Sequence, residues 1–245
     1  MKDTAGLEYG KNMLEVISKG GNFNRWMYET IRPLCRGEIL EIGSGIGNVS
    51  AFFLEGGASV TLSDLEDEYF SFLTGRFSGY KNLKGIHQLD FADPCLEDHH
   101  PGLLNRYDTV FALNVLEHVP DHDMALLNCC KLLKPGGRAV ILVPAFASLF
   151  NGFDVRLEHV RRYSINLLSG HFEKNGLRVV YKRYFNSPGI LGWFFTGKIL
   201  RRKNIPEGQM GIFDRLVPVW KIVDIPMSKI AGLSIIMVGE KQQEN

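Results

Sequence analysis

The sequence lacks several features that would each indicate a particular class of protein. Its four cysteines form no C-x-x-C pair and no zinc-type spacing, which argues against a disulfide framework or a cysteine-rich metal site. The net charge is only +1, so no overall field attracts nucleic acid. No apolar run approaches the ~20 residues that span a bilayer, and the first residues carry no apolar signal region. We therefore expect a cytoplasmic protein with reduced thiols and no nucleic-acid partner.

What the chain does contain is the composition of a folded globular protein. Apolar residues make up 45% of its 245 residues and charged residues 22%, which is typical of globular chains and not of disordered ones. This length suits one α/β domain with a sizeable core. An Asp-His-His run at 98–100 offers metal ligands, but the proline and glycine beside it favour a solvated loop. We therefore predict no metal site.

Residues 38–48 form the motif on which the functional prediction depends. Strand-like residues lead into a turn with glycine at every second position, and a helix-like segment follows. The turn residues expected to bind a ligand are Gly43, Ser44, Gly45 and Gly47. Glycine lets the backbone approach a ligand closely, and the first N–H groups of a helix lack intrahelical partners. The motif therefore predicts a site for a polar or anionic ligand.

Three residues near this turn narrow the choice of ligand. A dinucleotide-binding turn has glycine or alanine where this chain has Asn48. Glu41, at the end of the preceding strand, suits a ligand with an ammonium group better than one with a pyrophosphate. Asp64 ends the next strand-like segment, 21 residues after Gly43, where a carboxylate accepts hydrogen bonds from ribose hydroxyls. The two acids together favour a ligand with both a ribose and an ammonium group.

Two later segments complete a resemblance to a known family. The strand-like residues 107–114 are followed by a Leu-Glu-His turn, and a Leu-Lys-Pro-Gly-Gly turn precedes the strand-like residues 138–144. With the glycine turn and Asp64, these motifs resemble the ordered motifs of the class I S-adenosylmethionine-dependent methyltransferases, of the type 11/12 group. The resemblance covers about residues 36–185 and 233–240.

The resemblance implies an α/β fold with a Rossmann-like seven-stranded, mostly parallel sheet and helices on both faces. We expect a single methyltransferase domain over residues 1–245. Its three parts are an N-terminal helical cap (1–35), a Rossmann-like core (36–185 and 233–245), and a helical insertion or lid before the last strand (186–232, called the insertion below). The cap is predicted to hold helices at 7–19 and 22–31.

The resemblance also implies that the chain binds S-adenosyl-L-methionine and transfers its methyl group to an acceptor. The residues expected to bind this cofactor lie in the cap, in the glycine turn and at the strand ends. They are Arg25, Trp26, Glu41, Gly43, Ser44, Gly45, Gly47, Asp64, Leu65, Asp90, Phe91, Asn114 and Glu117. Two of them have a packing alternative, since Trp26 could pack the cap on the domain and Phe91 could belong to the core.

Two histidines are candidates for the general base that a hydroxyl acceptor requires. His118 follows the fourth strand, and His159 begins a His-x-Arg-Arg-Tyr run similar to one in many methyltransferases of this group. An imidazole with an unperturbed pKa of ~6.5 suits proton removal near neutral pH. Each has a structural alternative, in which His118 orients its loop and residues 161–163 hold the second loop to the domain.

The insertion departs from the family pattern, in which a short connection joins the last two strands. Residues 182–203 contain six basic and no acidic residues, with an apolar run at 189–200 between them. One interpretation is a helical lid that closes the acceptor pocket, and the other is a peripheral membrane contact through residues 186–203. Both favour a small-molecule acceptor that is bulky, amphiphilic or lipid-linked.

Two other functions use the same type of fold. A nicotinamide-dependent oxidoreductase would use the strand–turn–helix motif and Asp64, but Glu41 and Asn48 argue against it. A non-catalytic nucleotide-binding module is the second alternative, because a fold does not establish a function. The sequence gives no indication of the oligomeric state.

Overall fold

The strand-like segments form one seven-stranded sheet in a computed structural model, which describes residues 20–200 and 207–242. The predicted helix at 7–19 and the basic residues 201–203 lie outside the described residues. The strands are β1 (Ile39–Ile42), β2 (Val60–Asp64), β3 (Leu83–Gln88), β4 (Tyr107–Leu113), β5 (Leu133–Pro144), β6 (Leu177–Phe185) and β7 (Ser234–Lys241).

The order of the strands places a ligand site at the centre of the sheet. The order is β3-β2-β1-β4-β5-β7-β6, with the first five strands parallel and β7 antiparallel between β5 and β6. This confirms the predicted Rossmann-like sheet. The chain reverses its direction of winding between β1 and β4, and ligands of open α/β sheets bind at the carboxyl ends of the strands beside such a reversal.

The fifth strand begins earlier than the sequence pattern predicts. The Leu-Lys-Pro-Gly-Gly segment, expected as a turn before residue 138, is part of β5, and Leu133 already pairs with Tyr107. The register then shifts before Thr109, so the additional residues are absorbed as a bulge. Gly137 fits this irregular position because a Cβ atom there would lie 3.0 Å from the carbonyl oxygen of Tyr107.

Helices cover both faces of the sheet, as the fold class requires. Those before the insertion are α1 (Gly21–Ile31), α2 (Ser50–Glu55), α3 (Asp67–Phe77), α4 (Leu96–His99), α5 (His122–Leu132), α6 (Gly152–Arg156) and α7 (Ile165–Lys174). On one face α1, α2 and α3 bury Trp26, Phe53 and Leu73, and on the other α5 and α7 bury Leu126 and Phe172. Among the described helices, none is both long and apolar enough to cross a membrane.

The insertion is helical in its described residues. Helix α8 (Gly189–Trp193) continues into a π-helical turn (Phe194–Ile199), and α9 (Glu207–Arg215) and α10 (Val217–Met227) follow. The two ends of the insertion are held together by the sheet. Phe185 pairs with Ser234, and the backbone N–H of Leu233 donates to the carbonyl oxygen of Asn186 at 3.1 Å.

Candidate active site

A cavity of about 580 Å³ lies where the carboxyl ends of β1, β2 and β4 meet. Helices α1, α8 and α9 form its opposite wall through Phe23, Trp193 and Phe213. Eight of the fifteen candidate residues line this cavity: Glu41, Gly43, Ser44, Gly45, Asp64, Asn114, His118 and His159. Its volume is within the range of cavities that enclose a small organic ligand.

The turn after β1 requires glycine at two positions for different reasons. Gly43 has a φ of +69°, and a Cβ atom there would lie 2.5 Å from the side chain of Val115 in the loop after β4. Gly47 has a φ of +76°, and its Cβ atom would overlap the ring of Phe77 on α3. Both residues therefore occupy left-handed backbone conformations in which a side chain has no room. Gly43 lines the cavity, whereas Gly47 serves the packing of α3.

Two carboxyl groups define the polar end of the cavity. Asp64 accepts hydrogen bonds from the backbone N–H groups of Gly45 at 2.7 Å and Glu66 at 3.2 Å. Glu41 is buried and accepts a hydrogen bond from Ser50 Oγ. Burial raises the pKa of Glu41 to about 8, against the opposing effect of the bond from Ser50, and it also raises the pKa of Asp64. A cationic ligand beside Glu41 would favour its ionised form.

The cap helix α1 faces the cavity with a different set of residues from those predicted. The three that line the cavity are Phe23, Asn24 and Met27. Trp26 instead lies in the core, where its ring centroid is 4.6 Å from that of Phe185. This agrees with the alternative that Trp26 packs the cap on the domain. Arg25 is exposed, and its guanidinium lies 4.8 Å from the ring of Phe52. Each step along a helix rotates the side chain by about 100°, so an error of one residue changes the face.

Three more candidates, which follow β2 and β3, do not line the cavity. Leu65 is exposed at the surface, and Phe91 is buried in the core, which again is the packing alternative. Asp90 is exposed, and its carboxylate accepts a hydrogen bond from the backbone N–H of Ala92 at 2.9 Å, which closes a turn. The structure therefore brings together the candidates from the ends of β1, β2 and β4, but not those after β3.

His159 also lines the cavity and is held by a buried carboxylate. Its Nδ1 atom is 2.9 Å from Asp154 Oδ1, and Arg162 Nε donates to the same oxygen at 2.8 Å. Burial by itself would raise the pKa of Asp154, but the bond with His159 and the charge of Arg162 lower it overall. An ionised carboxylate only accepts hydrogen bonds, so Nδ1 of His159 carries its proton and Nε2 is left as the acceptor.

A second carboxyl group, Glu117, is buried on the other side of His159. Its Oε1 atom is 3.9 Å from His159 Nε2, and neither of its oxygens has a hydrogen-bond partner within the described chain. Burial raises the pKa of Glu117 to about 8, so it is mostly protonated near neutral pH. The ring of His118 lies 4.8 Å from that of His159, and burial together with His159 lowers the pKa of His118 to about 4.

Sequence reasoning missed Asp154 and considered Arg162 only as a loop anchor. Asp154 also accepts a hydrogen bond from the backbone N–H of Asn151 at 2.9 Å, which completes a capping box at the start of α6. The Asn-x-x-Asp pattern could have placed Asp154 at a helix start. Nothing local in the sequence shows its second contact with His159, or that Arg162 lies 4.7 Å from the ring of Trp193 in the insertion.

Two groups of side chains bring cation-binding atoms near one another. One group is Glu117, His118 and His159, of which the two histidines line the cavity and Glu117 does not; the other is His122, Asp123 and His171 on α5 and α7. The donor atoms of each group all lie within 4.8 Å of one another. In the run at 98–100, His99 pairs with Asp93 at 2.7 Å.

Comparison with known proteins agrees with the fold and with the motifs of the site. Residues 40–139 match the family model of a methyltransferase domain. The ubiquinone biosynthesis O-methyltransferase of Erwinia tasmaniensis is 30% identical over 112 residues, which is 46% of this chain and 44% of that protein. The enzyme of the same name from Thiobacillus denitrificans is 32% identical over 116 residues, 46% of each chain. The chain thus spans less than half the length of these curated relatives.

Solved structures with the same fold are more distant in sequence. An S-adenosylmethionine-dependent methyltransferase from Archaeoglobus fulgidus aligns with a TM-score of 0.57 and 16% identity, over 89% of this chain and 94% of that one. Phosphoethanolamine N-methyltransferase 2 of Haemonchus contortus, in complex with S-adenosyl-L-methionine, aligns with a TM-score of 0.58 and 18% identity, over 91% of this chain and 53% of that one. At these identities the likeness shows the fold.

The resemblance to the class I S-adenosylmethionine-dependent methyltransferases is therefore confirmed over residues 40–139. Over the rest of the described chain, the sheet and the solved structures show the seven-stranded Rossmann-like fold alone. The matched segment contains the glycine turn, Asp64 and the strand end at Asn114. The matching family model and the curated relatives are those of methyltransferases, which does not favour the nicotinamide-dependent alternative.

Proposed function

We propose that the protein is an S-adenosyl-L-methionine-dependent methyltransferase that uses His159 to take a proton from a hydroxyl acceptor. One observation carries this proposal: a single cavity combines a glycine turn flanked by two acids with a histidine oriented by a buried carboxylate. The first feature suits a nucleoside with an ammonium group, and the second suits a general base.

The polar end of the cavity fits the cofactor. Gly43 and Gly45 leave the backbone accessible, and Asp64 is held by Gly45 in position for ribose hydroxyls. Glu41, whose pKa burial raises to about 8, would pair with the ammonium group and ionise as it does so. Asn114, with a φ of +54°, lines the same wall and offers an amide. When bound, S-adenosylmethionine supplies an activated methyl group.

His159 is better suited than His118 to act as the base. Asp154 fixes the tautomer of His159 so that Nε2 can take a proton, and the resulting imidazolium would lie between two carboxyl groups. Glu117 would lose its proton more readily beside that imidazolium, which would stabilise the charge further. His118, with a pKa of about 4, holds a proton too weakly near neutral pH and shapes the cavity wall instead.

We propose that the acceptor is a bulky or amphiphilic small molecule, including the lipid-linked class. Apolar side chains line much of the cavity, among them Phe153, Leu157, Trp193 and Phe213. Such a wall selects a substrate with an apolar body and one polar reacting group. The curated relatives are named for O-methylation in ubiquinone biosynthesis, which agrees with a hydroxyl as the reacting group.

The insertion serves as the lid of this cavity in the proposed arrangement, within a single methyltransferase domain. Helices α8 and α9 contribute part of the cavity wall, so the acceptor meets the insertion as soon as it enters. A peripheral membrane contact through residues 186–203 is compatible with this position. All four cysteines are free, as a reducing compartment such as the cytoplasm would keep them.

The proposal is tested by ligand binding and by product analysis. Calorimetry should show binding of S-adenosylmethionine and S-adenosylhomocysteine but not of NAD. Incubation with methyl-labelled S-adenosylmethionine and a cell lipid extract should transfer label into organic-soluble material, and His159→Gln should abolish the transfer but keep cofactor binding. Binding of NAD, or labelled methyl transfer that survives His159→Gln unchanged, would refute the corresponding part of the proposal.

A further inference from the structure

The last helix of the insertion, α10, buries its one acid and exposes most of its apolar side chains. Its acid Asp224 is 1% exposed, whereas Ile222 and Ile225 are each 69% exposed. A helix on the surface of a globular protein normally buries its apolar face and leaves charged groups in water. The outward face of α10 therefore lacks the apolar partner that its composition requires.

This orientation is fixed by polar contacts beneath the helix. Asp224 accepts hydrogen bonds from the backbone N–H of Ser187 at 2.7 Å and from Arg183 Nη2 at 3.0 Å. A buried carboxylate is tolerated only when it is paired and hydrogen-bonded, so turning α10 over would leave Arg183 and Ser187 unsatisfied. The isoleucines are thus held outward by the fold.

The other described helices of the insertion expose apolar side chains as well. Within the described chain, 13 of the 21 exposed large apolar residues lie in the insertion, which is less than a fifth of the sequence. Leu191 on α8, Ile212 on α9 and Ile230 after α10 are 76%, 64% and 72% exposed. Such a concentration marks a contact surface. Helices α8 and α9 also line the cavity, so part of this surface lies on helices that form the cavity wall.

The charge of the insertion indicates what the surface contacts. Residues 186–232 contain seven basic and three acidic residues, a net charge of +4 in a chain whose total is +1. Of the three acids, Asp224 is buried and Asp214 accepts hydrogen bonds from the backbone of α1 at Asn22 and Phe23. Apolar side chains among lysines and arginines are the pattern of a segment bound at an anionic membrane surface. Two copies of this chain would repel each other if they met through this surface, because both insertions carry a net positive charge.

We propose that the apolar face of the insertion, centred on Ile222 and Ile225 of α10, docks on an anionic lipid bilayer. The surface extends beyond residues 186–203, because α10, which exposes more large apolar residues than α8 or α9, lies after them. Docking brings helices that form the cavity wall to the bilayer, where an amphiphilic acceptor would be found. The binding itself needs no methyl transfer, so it stands or falls separately from the proposed reaction.

The test is flotation of the purified full chain with vesicles. One set contains phosphatidylcholine alone, and the other contains phosphatidylcholine mixed with phosphatidylglycerol, each at low and high salt. We expect binding to the anionic vesicles that weakens at high salt, since each basic residue near the surface contributes about fivefold. Ile222→Ser/Ile225→Ser should reduce vesicle binding by about tenfold or more, because two exposed apolar side chains no longer insert. Lys229→Glu should reduce binding to anionic vesicles only.

The matched control replaces two exposed apolar residues outside the insertion, one on α7 and one on β6. Leu167→Ser/Val180→Ser removes side chains that are 47% and 39% exposed, and it should leave vesicle binding unchanged. Thermal unfolding and cofactor binding confirm that each variant is folded. Absence of binding to anionic vesicles, or equal loss in the control and the α10 variant, overturns the proposal. Dimers that dissociate in the α10 variant, with no vesicle binding, would assign the surface to a second copy.

Discussion

The contact between Asp154 and His159 allows a sharp test of the proposed chemistry. Asp154→Asn keeps the size of the side chain but removes the charge that orients His159 Nδ1 at 2.9 Å and faces Arg162 at 2.8 Å. Without that charge the imidazole can adopt the other tautomer, in which Nε2 carries the proton and cannot act as a base. We expect kcat to fall by roughly 10²–10⁴, the contribution of a positioned base, with cofactor affinity nearly unchanged.

The same substitution should also reduce stability, and the two effects can be separated. Asp154 is fully buried, and removing one partner of a buried ion pair costs about 3–5 kcal/mol, because Arg162 loses its counter-charge. Turnover is therefore measured at a temperature where denaturant titration shows the variant to be folded. Asp123→Asn is the matched control, since its carboxylate pairs with His171 Nδ1 at 2.7 Å on α5 and α7, away from the cavity residues.

A double-mutant cycle decides whether Asp154 acts through His159. If it does, Asp154→Asn lowers kcat in the wild-type background but has little further effect in a His159→Ala background. Additive losses in the two backgrounds, or an unchanged tautomer of His159 by nitrogen NMR, would show that Asp154 is only a structural residue.

Three further predictions concern the cofactor end of the cavity and its acids. Asp64→Ala should weaken binding of S-adenosylhomocysteine by roughly 1–3 kcal/mol by calorimetry, since ribose hydroxyls lose a charged acceptor; undiminished affinity would remove Asp64 from the site. Gly43→Ala should destabilise the protein more than Gly57→Ala in denaturant titrations. Both glycines have positive φ, but only at residue 43 would a Cβ atom clash with a side chain, that of Val115. Equal losses of stability in the two variants would contradict this packing argument. Glu41 and Glu117 have pKa values of about 8 in the folded protein, above the ~4.3 of an unfolded glutamate. Both therefore take up protons on folding at pH 6.5. The free energy of unfolding should accordingly fall by a few kcal/mol from pH 6.5 to 8. Glu41→Gln and Glu117→Gln should each reduce that slope, and a stability that rises over this window would refute the burial argument.

Much of the fold and part of the site could be predicted because they follow from local patterns. The order of strands and helices alternates in the sequence, and the glycine turn, Asp64 and Asn114 stand at strand ends, whose position in a parallel sheet is fixed by topology. This explains why the candidates from β1, β2 and β4 line one cavity. The local patterns do not fix which way the side chains of Trp26 and Phe91 face, and both lie in the core.

The remaining features depend on contacts between distant segments. Asp154 and Glu117 enclose His159 only after the loops that follow β4 and β5 pack together, and the sequence separation of 37 residues between the two acids hides this. The orientation of α10 is likewise decided by Arg183 and Ser187, which belong to the preceding strand and loop. Hydrophobic periodicity predicts the opposite orientation for α10, since it assumes that apolar residues face the core.

Because the two ends of the insertion are neighbours in the sheet, the specificity for the acceptor can evolve without changes in the strands that position the glycine turn. The chain leaves the sheet after Phe185 and returns at Ser234, and these two residues are already neighbours across β6 and β7. Lengthening a loop whose ends are held together costs free energy only logarithmically. The excursion can therefore be replaced by one of another length or polarity while β1, β2 and β4 keep the glycine turn and its acids in place. A single catalytic scaffold can in this way be refitted for new acceptors by exchanging one continuous segment of chain.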